Sequence, residues 1–426
     1  MRGRYRLASY LGGSVLARTG DELSGPALLL LGLAVTGSAA DASVLLTALT
    51  VAAAVGGPVF GALLDASRRP GLLLGLTLAC YAAGMVLVLL GLGWLPLPVV
   101  AGIAVLAGLA NPAIAGGWTA QLPRVLDGMP VARGSALDAM TFTAATLTGP
   151  ALAGLVGAWL GAPAAMLVAA GLVLAALPSA LALPIPPRPA GPSGPPAPRR
   201  ALRHTLLAGW AAIGRNPALR RVTATSAVSF AAVGMLLVCL PPLGARRLGD
   251  PAYGALLLTA LAVGALLANA ALARWTPANS RLLAPVPKGK KSAICRGPDV
   301  LVLISTLLMA GSLVLMASTG SVLPLAAAAV LAGFGEGPQL TALFAVRHRE
   351  APENLRAQVF TTGASLKIAG IAVGTAVAGP LAEWSLTGCL LAAAVVQLLA
   401  ACCYLACSAG KPAGKPPRKP WPALAS

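Results

Sequence analysis

The sequence predicts an all-α membrane protein with twelve transmembrane helices in two pseudo-symmetric six-helix bundles. Three observations predict it. Of 426 residues, 57% are hydrophobic and only 10% charged, with a mean hydropathy of +0.82, whereas a soluble domain is typically about a quarter charged. Apolar stretches of about 20 residues, the length that crosses a bilayer, recur along the whole chain. Lys and Arg fall almost entirely in every second interval between those stretches.

The same composition excludes a disordered chain, which would be poor in apolar residues. Aromatics are 4%, so the apolar mass is Leu, Ala, Val and Gly, the mixture that packs helices in lipid. The first set of stretches runs at 7–36, 44–64, 72–93, 97–121, 136–160 and 163–184. The second runs at 222–244, 254–274, 300–318, 322–346, 358–382 and 386–407. Between them, 185–203 is rich in Pro and Arg and reads as an extended linker, because proline removes backbone donors and breaks helices. Residues 204–218 read as a short surface helix entering the second half. The expected division is therefore 1–184, a linker over 185–221, 222–407 and a basic tail over 408–426.

The net charge of +19 would suggest nucleic-acid binding in a soluble chain. Its placement argues for a membrane instead. Of the 31 Lys and Arg, 27 lie in segments on one side of the predicted membrane. Only Arg246 and Arg247 lie in the opposite loops, and Arg18 and Lys367 fall inside apolar stretches. The bias puts both termini in the cytoplasm and makes the number of spans even. No cleavable signal peptide is expected, since the first apolar stretch carries acids and many more spans follow. The seven Cys show no metal spacing and read as buried free thiols. His204 and His348 are expected in cytoplasmic loops. No metal, cofactor or nucleic acid is expected.

An internal repeat is visible. Leu106-Ala107-Gly108-Leu109 with Pro112 echoes Leu331-Ala332-Gly333-Phe334 with Pro338; Pro130 and Arg133 echo Pro352 and Arg356; Gly149-Pro150 echoes Gly379-Pro380. Parallel six-helix halves are one scheme by which transporters hold a solute between repeats.

The turn after the second span reads Gly61-Ala62-Leu63-Leu64-Asp65-Ala66-Ser67-Arg68-Arg69-Pro70-Gly71. It resembles the cytoplasmic signature of the major facilitator superfamily, with Gly61, Asp65 and Arg69 matching, Ala66 standing where a basic residue is usual and Arg68 where Gly is usual. Gly61 would let two helices approach closely. Asp65 would accept from a neighbouring helix N-terminus or pair with an Arg, forming a latch; the alternative is a loop that only anchors positive charge. Gly149-Pro150-Ala151-Leu152-Ala153-Gly154 is similar to the kink motif of proton-coupled exporters in this superfamily, although 97–121 lacks their fourth-span Arg. The resemblance implies a secondary transporter like the bacterial drug and siderophore exporters. Its expected action is proton-coupled efflux of a small molecule by alternating access, as a monomer in the bacterial inner membrane. Uptake or uncoupled transport remains the alternative, and a membrane-embedded enzyme the less favoured one, since nucleophile, metal and phosphate-binding motifs are missing.

Ionisable groups inside a span cost at least about 2.5–3.5 kcal/mol each, so they mark candidate sites. Arg18, Asp21 and Glu22 lie three and four residues apart, and both acids are expected to reach Arg18 on one helix face. Two acids sharing one Arg would titrate as a coupled pair and form a proton site; the alternative is a static ion-pair cluster. Glu336 and Lys367 lie at similar depth and are expected to pair across adjacent helices, or to respond to substrate and proton. Gln339 and Asn111 are candidate cavity residues, as are Trp118 and Gln121. Asp138 reads as a helix-start acid three residues after Ser135.

Overall fold

The computed structural model describes residues 2–185, 208–249, 252–275 and 297–406. Most of the expected linker, the stretch around Lys288 and the basic tail lie outside the described residues. The described chain is almost wholly helical. The first set of helices is α1 (Arg2–Thr36), α2 (Ala39–Ala66), α3 (Pro70–Gly91), α4 (Leu97–Gly108), α5 (Val131–Leu160) and α6 (Ala162–Ala175). The second is α7 (Pro217–Leu243), α8 (Ala252–Trp275), α9 (Pro298–Ser318), α10 (Val322–Glu350), α11 (Arg356–Trp384) and α12 (Leu386–Ala406). A further helical stretch, 208–215, sits within the segment expected as a surface helix. Its Ile213 is buried against Leu219, Ala351 and Val359.

Local chemistry sets the helix starts. The Ser38 hydroxyl accepts from the Asp41 N–H at 3.1 Å. The Asn216 side chain accepts from the N–H groups of Ala218 and Leu219 at 2.9 and 3.3 Å. Each satisfies donors that a helix leaves unpaired in its first turn. Pro70, Pro217 and Pro298 open α3, α7 and α9, where a missing N–H costs nothing. α4 is interrupted: Pro112 follows Asn111, and Ala113–Gly117 continues as a π turn. Such a turn is a frequent mark of a functional site.

Among the described residues, 11 helical stretches are long and apolar enough to cross a membrane. The stretch that fails the apolar criterion is α1, which carries Arg18, Asp21 and Glu22. Apolar side chains face outward all round the bundle: Leu90 is 65% exposed and Leu106 70%. Trp94, Trp159 and Trp384, exposed by 81–89%, lie at or just beyond the C-terminal ends of α3, α5 and α11. Exposed positions at helix ends suit an amphipathic indole at a membrane interface. Cys239 and Cys389 are buried as expected, but Cys80 and Cys402 lie on the outer surface. His348 is not in a loop; α10 continues past the expected end, and the ring is buried 4.4 Å from that of Phe360.

The packing repeats. α1 packs on α2, α5 and α6 as α7 packs on α8, α11 and α12, and α3 packs on α4 and α6 as α9 packs on α10 and α12. α2 packs on α4 as α8 packs on α10. The sequence echo falls on this last contact. At Gly108 an added methyl would strike the Leu49 carbonyl of α2; at Gly333 it would strike the Leu261 carbonyl of α8. Both glycines let backbones touch, so the repeated motif is a packing motif. Between the sets the principal contacts are α2 with α11 and α5 with α8, and α5 with α10 and the π turn after α4 with α11, each couple related by the repeat.

Polar ties fix the second set near its α7 start. Asp299 accepts from Tyr404 at 2.7 Å and from Arg349 at 3.0 Å, with Arg221 at 3.7 Å. They join α7, α9, α10 and α12. Overpacking a close backbone contact costs typically about 1–3 kcal/mol. Gly333→Val is therefore expected to lower the yield of monodisperse protein on size exclusion and its thermal midpoint. Gly311→Val, at a position with open space around it, should leave both near wild type.

Candidate functional site

A cavity of about 300 Å³ lies between the two sets of helices. One wall comes from α1, α2, α4 and α5, the other from α7, α10 and α11. Its polar lining includes Asp21, Glu22, Ser24 and Asn111 on the first side, and Ser226, Arg347 and Lys367 on the second.

Arg18 does not pair with Asp21 or Glu22. Its Nη1 lies 3.0 Å from Asp138 Oδ1, and its Nη2 donates to the Thr119 hydroxyl at 2.8 Å. Nη1 also donates to the Thr141 hydroxyl and, at 3.1 Å, to the Asp138 carbonyl. The guanidinium carbon sits 3.6 Å from the centroid of the Phe142 ring. Asp138 accepts further bonds from Tyr10 at 2.9 Å and Thr119 at 2.8 Å. The reason is directional: side chains on a helix lean toward its N-terminus, so the long Arg18 reaches away from two acids that follow it. Asp138 is thus no helix-start acid. It lies two turns inside α5, fully buried, as the counter-charge of Arg18. Trp118 belongs to this buried cluster rather than to the cavity, with its ring centroid 6.1 Å from that of Tyr10.

Asp21 is therefore free of any direct cation. Its Oδ1 accepts from the Tyr81 hydroxyl at 2.8 Å and from Asn111 Nδ2 at 2.5 Å. Asn111 reaches it because the Asn-Pro break in α4 turns this residue into the cavity. Ser24 donates to the Asp21 carbonyl at 2.6 Å and lies 2.6 Å from the Tyr81 hydroxyl. Glu22 accepts only a long bond from Thr146, at 3.4 Å. Two neighbouring carboxylates therefore face the cavity without an ion pair within 4.0 Å among the described residues.

Glu336 and Lys367 form no ion pair within 4.0 Å, and Glu336 does not line the cavity. Lys367 Nζ instead lies 4.4 Å from the Phe230 ring centroid and 5.2 Å from that of Phe142, a geometry that holds a cation by the ring faces. Gln339 is also outside the cavity. It is fully buried, donating to Thr306 at 2.7 Å and Ser229 at 3.1 Å. Arg347, Phe142, Phe344 and Phe360 line the cavity and were not among the expected residues. A basic residue near a helix end reads as a loop charge, and a lone Phe reads as core.

The latch residues meet across the halves. Asp65 Oδ1 and Oδ2 accept from the N–H groups of Ala357 and Gln358, at 2.9 and 2.8 Å. These are unpaired donors in the first turn of α11, where the helix dipole also favours an anion. A methyl added at Gly61 would strike the Thr361 hydroxyl. Ser365 clamps the next turn, donating to the Ala53 carbonyl at 2.8 Å and accepting from the Gly57 N–H at 3.0 Å. Arg69 is exposed at the α3 start and makes no side-chain bond among the described residues. Gly149 packs against Glu22 of α1, while Gly154 and Pro150 face outward and Gly154 meets open space. The close-contact motif is thus confined to Gly149.

Two helical sets related by a repeat, with a charged cavity between them and a clasp across one mouth, define a membrane transporter rather than an enzyme. The chain belongs to the Major Facilitator Superfamily, whose family model matches residues 10–287, and it is a transporter of the secondary kind. An uncharacterized MFS-type transporter, y4rN, of Sinorhizobium fredii is 27% identical over 318 residues, covering 73% of this chain and 72% of that protein. The human organic anion transporter MFSD10 (TETRAN) matches 95% of this chain and 100% of its own with a TM-score of 0.71 at 17% identity. A bacterial homologue of the iron transporter ferroportin, outward-facing, gives 0.71 at 14% identity over 95% and 99% of the two chains. The E. coli fucose:proton symporter gives 0.66 at 13% over 94% and 98%. These structures share the fold with this chain.

Removing one partner of a buried ion pair costs about 3–5 kcal/mol, because the other charge is left uncompensated. Asp138→Asn should therefore lower the thermal midpoint sharply, and Arg18→Met with Asp138→Leu should recover much of it. At the latch, losing an acceptor leaves buried donors unmet at about 1–3 kcal/mol, and about 1.4 kcal/mol is tenfold in an equilibrium. Asp65→Asn should shift the molecule toward conformers open at that mouth, read as at least fivefold faster maleimide labelling of Ser365→Cys in a cysteine-free background.

Proposed function

We propose that this chain is a proton-coupled transporter that moves a small molecule by alternating access, with the halves 1–184 and 222–407 rocking about the central cavity. The observation that carries this reading is the pair Asp21 and Glu22: adjacent acids that line the cavity with no cation within 4.0 Å among the described residues. Such a pair exchanges protons with whichever compartment the cavity faces. The basic loops favour the cytoplasm for the Asp65 end, so the clasped conformer opens to the opposite side. Breaking two main-chain bonds at Asp65 is then one step of the cycle. α1 serves as the twelfth span, carrying its charges into the cavity rather than into lipid.

Export is the first reading of direction, from the resemblance to proton-coupled exporters. Moving one charge through 100 mV yields about 2.3 kcal/mol, enough for a roughly fiftyfold gradient. Inward cotransport is the second, favoured by Arg347 and Lys367 in the same cavity. A solute held by those cations would cross with a proton on Asp21 or Glu22 rather than against it.

Membrane vesicles of both orientations test the reading. An imposed proton gradient should drive accumulation of at least one member of a broad solute panel, in everted vesicles for export and in right-side-out vesicles for uptake. Asp21→Asn and Glu22→Gln should each cut the gradient-driven rate at least tenfold. Gradient-independent rates throughout, or wild-type rates in both variants, would refute it.

A further inference from the structure

We propose that the cavity takes an organic anion: a carboxylate or a like oxyanion held by Arg347 and Lys367, on an apolar body lying against the phenylalanines. The inference rests on the reading of this cavity as the transport site.

Arg347 carries it. The residue is only 3% exposed, lines the cavity and has no carboxylate within 4.0 Å among the described residues. Its Nε and Nη2 are buried without a hydrogen-bond acceptor. Buried charged donors left unmet are costly, and a guanidinium fork is met best by a planar, two-oxygen acceptor. Its plane is seated by α11: a methyl on Gly363 would lie 2.6 Å from Cζ, so the absence of one lets the guanidinium lie against the backbone. Lys367 comes from the next turn of the same helix and sits over the ring faces of Phe142 and Phe230; Glu22 and Glu336 are near enough to act on its charge, but neither lies within 4.0 Å.

The apolar part is equally placed. Phe142, Phe344 and Phe360 form a chain of tilted rings with centroids 5.6 and 5.9 Å apart, lining the same cavity as both cations. A cavity of about 300 Å³ lies at the small end of ligand pockets, suited to a one-ring molecule. The two cations come from the second set of helices and the two carboxylates from the first, so a bound anion is gripped on one side only. Its negative group belongs at the second-half wall, away from Asp21.

Matched probes test this on purified full-length protein in detergent: phenylacetate, phenylacetamide and phenethylamine, similar in shape and different in charge. The apparent Kd is read from the ligand-dependent rise in thermal midpoint. Phenylacetate should bind at least tenfold tighter than the amide, with the amine weakest. Lys367→Met and Arg347→Gln should each erase that preference, and the half-buried Lys367 site keeps the test open if the Arg347 variant fails to fold. Equal binding of acid and amide, preference for the amine, or an undiminished preference in Lys367→Met would overturn the proposal. Gradient-driven movement of the amine with no competition from the acid would also overturn it while leaving the transport reading standing. An acid preference lost in the variants, with no gradient-driven movement of any solute, would uphold the anion site and remove the transport reading.

Discussion

A charge carried into an apolar interior must be neutralised, hydrated or hydrogen-bonded, and that single constraint organises this molecule. α1 brings three charges into the middle of a helical bundle. Arg18 is neutralised by Asp138 within a shell of Tyr10, Thr119 and Thr141. Asp21 is hydrogen-bonded by Tyr81 and Asn111. Glu22 opens to the cavity. The first is a fixed tie between α1 and α5. The other two are a pair of acids whose environment is set by the space beside them. One helix thus separates a paired charge from two cavity-facing acids within five residues.

The repeat builds the rest around that helix. Every principal contact within the first set of helices has its counterpart in the second, and the glycines that let α2 meet α4 and α8 meet α10 lie at corresponding places. The principal contacts between the sets follow the same symmetry, and the cavity takes its walls from both sets. Charge breaks the symmetry: acids line one wall and cations the other.

The fold was readable from hydropathy because lipid imposes a length and a composition on each span. Helix ends followed within a few residues, and Asp65, at the end of α2, accepts from a neighbouring helix N-terminus as its place in the sequence suggests. The ion pairs were not. Spacing on one helix suggested Arg18 with Asp21, but it carries no information about a neighbour 120 residues away, and Asp138 competes better because it sits where the Arg side chain leans. Depth alone matches Glu336 with Lys367; the lysine sits over the Phe142 and Phe230 rings, and Glu336 acts on it through charge without an ion pair within 4.0 Å. Gln339 has the chemistry of a ligand contact, but two hydroxyls, on Ser229 and Thr306, consume it. In each case the missing information was the azimuth of a helix, which hydropathy does not encode.

The clasp at Asp65 has an asymmetry of heredity. One half supplies a specific carboxylate; the other supplies only peptide N–H groups, which almost any amino acid at 357 or 358 would present equally. Drift at those two codons is invisible to the clasp, proline excepted, whereas drift at position 65 is not. A recognition element can therefore be written in one half of a duplicated chain and leave almost no trace in the half it grips.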